Sequence, residues 1–307
     1  MAERPDIIPA ILLTGFLGAG KTTLLNRLID YYSGTRTVLL INEFGKVGID
    51  GELLQEGDYE KIELNRGSLF CICVRTDFIA AVEKIARKIL PERLIIEATG
   101  IADTSEMEKM LAVPTIKDMI QLDTCLCVVD CTTFLKIKDN LRAPITQIKS
   151  ADLVLINKVD LVTDSQVQQI ENSVREISPT VPMIRTQFTV FPLQRLGTFR
   201  HPPTLSAGVP GEGRPDPLFS VALEANGSFT RESWQLFRDA LGIDIFRLKG
   251  FITLENERYY VDGTIDRLSI IRSNRIEPGK NRLVVIGPNV KQSLIQQVFL
   301  KAIRQGM

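Results

Sequence analysis

The sequence predicts an α/β protein in which a doubly wound, mostly parallel sheet is followed by a smaller α+β domain. Three observations support this fold class. Short apolar runs alternate with amphipathic segments over roughly the first 190 residues. A glycine-rich loop follows the first of these runs. A stretch rich in proline and glycine then precedes a second part with strand-like alternation.

Near-continuous apolar runs are typical of strands that are buried on both faces of a parallel sheet. They occur at residues 7–14, 37–41, 93–98, 124–130 and 152–157. Amphipathic segments lie between them. In one of these, Phe78, Val82, Ile85 and Ile89 share a helical face after Thr76, a predicted N-cap. The alternation predicts right-handed β-α-β crossovers.

The second part is separated by residues 194–217, which hold five prolines and four glycines and are predicted to be a linker. We therefore predict domains at residues 1–193 and 218–307. The second domain should have the order β-α-β-β-β-β-α and fold as a small antiparallel sheet with two helices on one face. The predicted strands are 219–225, 245–254, 258–263, 267–272 and 281–287, and the predicted helices are 229–241 and 291–304.

The charge balance gives no sign of a nucleic-acid or membrane partner, because 37 basic residues match 37 acidic ones. The apolar stretch Ile7–Gly20 is too short to span a bilayer. The residues before it lack the positive charge of a signal peptide. We therefore expect a cytoplasmic protein.

The stretch "GFLGAGKTT", Gly15–Thr23, matches the P-loop pattern G-x-x-x-x-G-K-[ST] between a strand and a helix. Such a loop points backbone N–H groups at phosphate oxygens. We expect Lys21 to neutralise the β- and γ-phosphates and the Thr22 hydroxyl to ligate Mg²⁺. The predicted nucleotide-binding residues of the loop are Gly15, Gly18, Ala19, Gly20, Lys21, Thr22 and Thr23. The first domain is thus predicted to be a P-loop NTPase.

The tetrapeptide "NKVD" ends another apolar run and predicts GTP rather than ATP. Asp160 can accept hydrogen bonds from N1–H and the 2-amino group of guanine, which adenine lacks. The stem of Lys158 can cover the purine ring. Asn157 has two alternatives: it contacts the N7 edge of the base, or it stabilises the phosphate loop.

Two further segments are predicted to sense the γ-phosphate. "IIEATG" ends a strand, so Glu97 should face Mg²⁺, directly or through water, and the Gly100 N–H should meet the γ-phosphate. Lys21, Thr22, Glu97 and Gly100 are the predicted catalytic residues. Residues 42–50, "NEFGKVGID", are either a nucleotide-sensing switch or a plain crossover loop.

These segments, together with "VVD" (128–130) and the C-terminal "FRLKGFITL" and "RLVVIG", resemble the CobW-like metallochaperone GTPases related to UreG and HypB. The resemblance implies GTP hydrolysis coupled to handling Zn²⁺, Co²⁺ or a similar metal. It also implies a client protein that depends on metal or cobalamin, and a CobW C-terminal-type domain for docking. A homodimer is a further partner that we consider.

The sequence departs from this family in its cysteine motif, usually Gly-Cys-x-Cys-Cys. Ser68 and Phe70 replace two of those cysteines, which leaves Cys71 and adds Cys73. These two thiols can bind a transition metal, with Glu43, Asp77 or the same loop of a second subunit completing the site, or they can be merely structural. A GTP-gated chaperone that binds no metal is therefore the alternative function, and a phosphotransferase ranks below both.

The remaining three cysteines and the only histidine are not predicted to be central to the site. We expect Cys125 and Cys127 to pack in a core strand. Cys131 either packs or lines the nucleotide or metal region, and His201 is predicted to be solvated in the linker. No glutamine follows the acid-x-x-Gly motif, because Ile101 and Ala102 come next. Hydrolysis by the isolated chain should therefore be slow.

Overall fold

The computed structural model describes residues 7–43, 59–65, 72–202, 218–242, 245–264, 267–273, 280–288 and 290–305. They form two compact units, one on each side of residues 203–217. Among the described residues, no helix combines the length and apolar character needed to cross a bilayer.

The first unit alternates strands and helices along the chain, as predicted. Its strands are β1 (Ile8–Gly15), β2 (Thr37–Glu43), β3 (Tyr59–Asn65), β4 (Arg93–Glu97), β5 (Ile120–Asp130), β6 (Leu153–Asn157) and β7 (Met183–Thr186). Its helices are α1 (Lys21–Tyr31), α2 (Ile72–Lys84), α3 (Thr104–Leu111), α4 (Phe134–Ile137), α5 (Ala143–Lys149) and α6 (Asp164–Ile177).

The strands form one seven-stranded parallel sheet in the order β3-β2-β4-β1-β5-β6-β7. Central strand β1 sends alternate side chains to two different cores. Ala10 and Leu12 belong to one apolar cluster, and Ile11 and Leu13 to another. Because apolar residues are buried on both faces, the strand sequence has no polar side, and the predicted doubly wound sheet is confirmed.

Two strands and one helix start differ from the sequence prediction. The added strands, β3 and β7, are the two edges of the sheet, where fewer side chains need to be apolar. Helix α2 begins at Ile72, so the predicted N-cap at Thr76 is wrong; a π-helical turn, Ile85–Ile89, follows it. Phe78, Val82 and Ile85 are nevertheless buried, because the apolar face was assigned correctly.

The second unit has the predicted order. It consists of β8 (Phe219–Asn226), α7 (Arg231–Leu241), β9 (Arg247–Leu254), β10 (Glu257–Thr264), β11 (Arg267–Arg272), β12 (Lys280–Gly287) and α8 (Gln292–Gln305). The antiparallel sheet runs β11-β10-β9-β12-β8. Trp234 and Phe237 of α7 and Phe299 of α8 share one core with Leu223 and Leu283 of the sheet.

The segment that was predicted to begin the linker packs on the first unit up to Pro202. A 3₁₀ turn, Leu193–Thr198, buries Leu193 and Leu196, and Phe199 joins the same core. The Thr124 hydroxyl donates to the Phe199 carbonyl at 2.7 Å. Residues 203–217 lie outside the described residues, and the proposed domain limits stay a prediction.

The prediction that His201 is solvated is wrong. Its side chain is 8% exposed, and its Nδ1 lies 3.0 Å from Oδ2 of Asp152, whose side chain is 10% exposed. Burial lowers the pKa of His201, but the hydrogen bond and charge of Asp152, with the charge of Glu108, outweigh burial and raise the pKa above its usual value.

This raised pKa predicts a pH-dependent stability of the first unit. Because the folded pKa of His201 exceeds the unfolded one, its stabilisation is full below the unfolded pKa and is lost as pH rises through the folded pKa. We expect His201→Gln to lower the free energy of local unfolding by about 1.5–3 kcal/mol at pH 6, and by less at pH 8.5. Hydrogen exchange of the β5 amides measures this, and an equal loss at both pH values would contradict it.

Candidate functional site

The loop between β1 and α1 has the backbone that a phosphate cradle needs. Gly15, Gly18 and Gly20 have φ angles of 137°, 78° and 113°, in the region that favours glycine. A Cβ atom on Gly15 would lie 2.3 Å from the Val128 carbonyl oxygen. All three positions therefore favour glycine by backbone conformation, and Gly15 is also required by the close approach of β5.

Lys21 is the first residue of α1 and is 8% exposed. Its Nζ donates to the carbonyl oxygens of Gly15 at 2.9 Å and Phe16 at 3.3 Å. The ammonium is thus held over the loop at the positive end of the helix dipole. Behind it, Leu24, Leu25, Leu28 and Ile29 anchor α1 in the core, and Thr23 is exposed.

Glu97 at the end of β4 meets Thr22 at the start of α1. The Thr22 hydroxyl donates to the buried Glu97 carboxylate, whose Oε2 has no hydrogen-bond partner among the described residues. Burial raises the pKa of Glu97, while the charge of Lys21 and the Thr22 hydrogen bond oppose the rise. A hydroxyl beside an under-coordinated carboxylate fits Mg²⁺, which prefers such oxygen ligands.

The acid-x-x-Gly turn after β4 packs directly on the phosphate loop. A Cβ atom on Gly100 would lie 2.6 Å from the Leu17 backbone nitrogen. The buried Gln147 of α5 donates from Nε2 to the carbonyls of Gly100 at 3.1 Å and Ala102 at 3.3 Å. Sequence reasoning missed Gln147, because one glutamine in a short helix carries no signal of a distant partner.

Asn157 at the end of β6 clamps the phosphate loop. Its Nδ2 donates to the Ala19 carbonyl at 2.8 Å, and its Oδ1 accepts from Thr186 Oγ1 at 3.1 Å and from the Thr189 N–H at 3.0 Å. A Cβ atom on Gly20 would lie 2.6 Å from Asn157 Nδ2. Of the two alternatives for Asn157, this geometry favours support of the loop.

Lys158 also contacts the phosphate loop, whereas the side chain of Asp160 is exposed to solvent. Lys158 adopts a φ of 65°, and its Nζ donates to the Gly18 carbonyl at 2.7 Å and to Asp130 at 2.6 Å. Asp160 lies on a 3₁₀ turn, Val159–Leu161, and is exposed. Its carboxylate is therefore accessible for hydrogen bonding to a base.

A segment after β7 belongs to the same edge and was missed from the sequence. Phe188 and Thr189 both adopt positive φ angles, 50° and 56°, and Phe188 is 72% exposed. Thr186 and Thr189 hold Asn157, as described above. Strained backbone of this kind is concentrated at functional sites, but no glycine or asparagine at these positions signals it in the sequence.

The three described cysteines are core residues. Cys125, Cys127 and Cys131 are buried and free. Burial raises the pKa of Cys125 and raises the pKa values of Cys127 and Cys131 to about 12. The packing prediction for Cys125 and Cys127 is confirmed. Cys131 packs in the same core cluster as Cys127. Thiols this weakly acidic make poor metal ligands.

The structure describes the predicted transition-metal residues only in part. Cys71 and residues 44–50 are outside the described residues. Glu43 ends β2 and Cys73 lies in the first turn of α2, but their side chains are not described. Within the described ranges, no group of three or more His, Cys, Asp or Glu side chains is arranged to hold a metal ion.

Comparison with known proteins adds a family match over most of the chain. Residues 9–185 match the profile "CobW/HypB/UreG, nucleotide-binding domain", and residues 219–303 match "Cobalamin synthesis protein cobW C-terminal domain". The two matches correspond to the two units of the structure.

Several curated proteins are similar to this chain. A zinc-regulated GTPase metalloprotein activator 1 from Dictyostelium discoideum is 30% identical over 227 residues, covering 62% of this chain and 48% of the relative. A zinc chaperone CobW from Sinorhizobium sp is 34% identical over 196 residues (54% and 55%). Another from Pseudomonas aeruginosa is 27% identical over 335 residues (94% and 89%). The chain spans about half the length of the first two relatives.

Solved structures with a similar fold are more distant. The Zn(II)-bound YjiA GTPase from E. coli is 18% identical with a TM-score of 0.44, covering 97% of this chain and 99% of that chain. HypB from Helicobacter pylori in complex with nickel is 14% identical with a TM-score of 0.43, covering 64% and 91%.

Proposed function

Because the chain belongs to the CobW/HypB/UreG family of nucleotide-binding proteins, we propose that it is a GTP-hydrolysing metallochaperone. In this proposal GTP binds with Mg²⁺ at the β1–α1 loop, and the nucleotide state controls delivery of a transition metal to a client protein. The C-terminal unit serves docking of that client. A homodimer is compatible with this scheme.

The observation that carries the nucleotide part is the pairing of Thr22 with Glu97. A buried carboxylate that has one oxygen without a partner in the described part of the chain is costly unless a cation approaches it. Both residues lie beside Lys21 and the glycine loop, where a triphosphate would sit. When bound, Mg²⁺ would be held by Thr22 and Glu97 and would neutralise the negative charge that develops on the phosphates.

The chain's own groups then position the phosphates. Lys21 can move from its loop carbonyls to phosphate oxygens, and the backbone N–H groups of Gly18 and Gly20 supply donors around them. Gly100 brings the acid-x-x-Gly turn against this loop. Since Ile101 and Ala102 carry no water-positioning amide, we expect slow hydrolysis that a partner or metal accelerates.

Base selection is assigned to the loops after β6 and β7. Asp160 is exposed to accept hydrogen bonds from guanine, and Lys158 extends from β6 to Gly18 along the expected path of the purine ring. Asn157 and the Thr186–Thr189 segment hold this arrangement against the phosphate loop.

The metal part of the proposal is supported by topology and by the relatives. Parallel strands place the ends of β2 and β4 on one edge, so Glu43 and Glu97 end neighbouring strands. Strand β3 ends at the same edge, at Asn65, and Cys71 follows in the sequence. The relatives named zinc chaperones favour Zn²⁺ over Co²⁺ as the cargo of Cys71, Cys73 and Glu43.

The altered cysteine motif keeps one alternative open. With Ser68 and Phe70 at two cysteine positions, Cys71 and Cys73 supply only two of the four ligands that a closed tetrahedral zinc site needs. A GTP-gated chaperone that services a metal- or cobalamin-dependent enzyme, and itself binds no metal, uses the same nucleotide site.

Zinc binding by the cysteine pair distinguishes the two functions. We expect Cys71→Ser/Cys73→Ser to raise the Kd for Zn²⁺ at least about 100-fold, measured by competition with a chromophoric chelator in the presence of GDP or of a non-hydrolysable GTP analogue. The control is Cys131→Ala, which removes a buried core thiol and should leave zinc affinity unchanged. Equal zinc affinity in the double variant and the wild type would support the metal-free alternative.

A further inference from the structure

Asp130 is a buried carboxylate next to the proposed nucleotide site. It is the last residue of β5, and its side chain is 1% exposed. Oδ1 accepts from the backbone N–H of Thr132 at 2.8 Å and from its hydroxyl at 2.7 Å. Oδ2 accepts from Lys158 Nζ at 2.6 Å. Both oxygens are therefore occupied, and the carboxylate has one fixed orientation.

The partner of Asp130 is the lysine that is expected to cover the base. Lys158 Nζ is held at a second point, because it also donates to the Gly18 carbonyl at 2.7 Å. A lysine side chain normally populates many rotamers. Here its two ends are fixed, at the end of β6 and at the phosphate loop, so its methylene stem has one path between them.

The contacts around Asp130 also join three segments of the site. Asp130 and Asn157 are direct partners in the β5–β6 register, and the Cys131 N–H donates to the Asn157 carbonyl at 3.0 Å. Asn157 holds Ala19, and Lys158 holds Gly18. Asp130 thus lies next to both residues, Asn157 and Lys158, that contact the phosphate loop from the end of β6.

We propose that Asp130 is a positioning residue for guanine-nucleotide binding, acting through Lys158. By holding the ammonium between the end of β5 and Gly18, it keeps the lysine stem flat for the purine ring and keeps the loop in its phosphate-binding shape. This rests on the proposed function, since a protein that binds no nucleotide needs neither.

The first test is Asp130→Asn, which keeps the size of the side chain and removes its charge. We expect the Kd values for GTP, GDP and GMP all to rise about tenfold or more, because a charge-assisted hydrogen bond is weakened. GMP is informative, because a defect confined to β- and γ-phosphate contacts would spare it. Binding is measured by fluorescence of labelled nucleotides and by competition with unlabelled GMP.

The control is Asp152→Asn, another buried carboxylate of the same sheet. Asp152 precedes β6, at the opposite edge, and accepts from the Cys125 N–H at 2.7 Å. It should lower the unfolding temperature and leave nucleotide affinity unchanged. A merely structural role for Asp130 would instead give Asp130→Asn the same pattern as this control, which would overturn the proposal.

A double-mutant cycle with Lys158→Met tests whether Asp130 acts through Lys158. Methionine keeps an apolar stem without the ammonium. If the proposal is right, adding Asp130→Asn to Lys158→Met causes no further loss of affinity. The double variant also lacks an unpaired buried charge, so it remains measurable if Lys158→Met alone folds poorly. If the double variant instead loses affinity by the product of the two single-variant factors, the proposal is overturned.

The outcomes separate this inference from the function beneath it. If the wild-type protein binds no guanine nucleotide, the proposed function fails and the inference fails with it. If the wild type binds GTP tightly and Asp130→Asn binds it equally well, the inference alone fails.

Discussion

Asp160→Asn is expected to change the preferred nucleotide from GTP to XTP. Guanine would lose its two hydrogen bonds to the Asp160 carboxylate, and each is worth about 1.5–3 kcal/mol because the acceptor is charged. The affinity for GTP should therefore fall by about 100-fold to 10,000-fold. Xanthine has a carbonyl where guanine has its 2-amino group, so the asparagine amide can donate to it and XTP should gain affinity.

Competition of GTP and XTP for a labelled guanine nucleotide measures this exchange. Asp164→Asn is the matched control, because Asp164 lies four residues later and its side chain is fully exposed. It should bind both nucleotides like the wild type. A GTP affinity that survives Asp160→Asn unchanged would remove the basis for choosing GTP over ATP.

Glu97→Gln is expected to abolish magnesium-dependent hydrolysis while stabilising the nucleotide-free protein. The rate should fall by about 100-fold or more, because the cation loses its charged protein partner. The free energy of unfolding should rise by about 1 kcal/mol at pH 7.5, since a neutral amide of the same size replaces a buried, under-coordinated carboxylate.

The raised pKa of Glu97 explains why Glu97→Gln should increase the free energy of unfolding. An acid whose folded pKa lies above the unfolded one gives its full stability below the unfolded pKa and loses it as pH rises through the folded pKa. The difference in stability between Glu97→Gln and the wild type should therefore shrink as pH falls. For the same reason, the wild type should bind Mg²⁺ more weakly in acid, and the variant should show little pH dependence.

Glu106→Gln is the control for this pair of effects. Glu106 is 2% exposed and forms an ion pair with Lys109 at 3.0 Å, so its carboxylate is already compensated. Its replacement should lower stability and leave the hydrolysis rate unchanged. If Glu97→Gln behaves in the same way, Glu97 is a structural acid and the assigned magnesium site is wrong.

The parts of the molecule that could be predicted are those written in contiguous residues. Apolar runs predicted five strands of the first sheet, and strand-like runs together with helical periodicity predicted all seven elements of the second unit. The glycine loop could be assigned because its positive φ angles need glycine at fixed positions along the chain. Edge strands β3 and β7 carry weaker patterns, since less of their surface is buried.

The contacts that organise the site join residues far apart in sequence. Asp130 and Lys158 are 28 residues apart, Gln147 and Gly100 are 47, and His201 and Asp152 are 49. Composition around His201 predicts a linker, yet Phe199 and the Asp152 carboxylate fix this segment on the first unit. No local pattern specifies such partners.

The amino-acid sequence by itself determined the layered fold, the phosphate loop and the residues that end each strand, because backbone conformation and burial periodicity are local properties. Only the tertiary structure decided which of those strand ends touch, which oxygen of Glu97 has no partner among the residues the structure describes, and that Asp130 holds Lys158 on the loop. The physical reason is that hydrogen bonds and charge pairing act through space, and distances in space are set by how the strands align in the sheet.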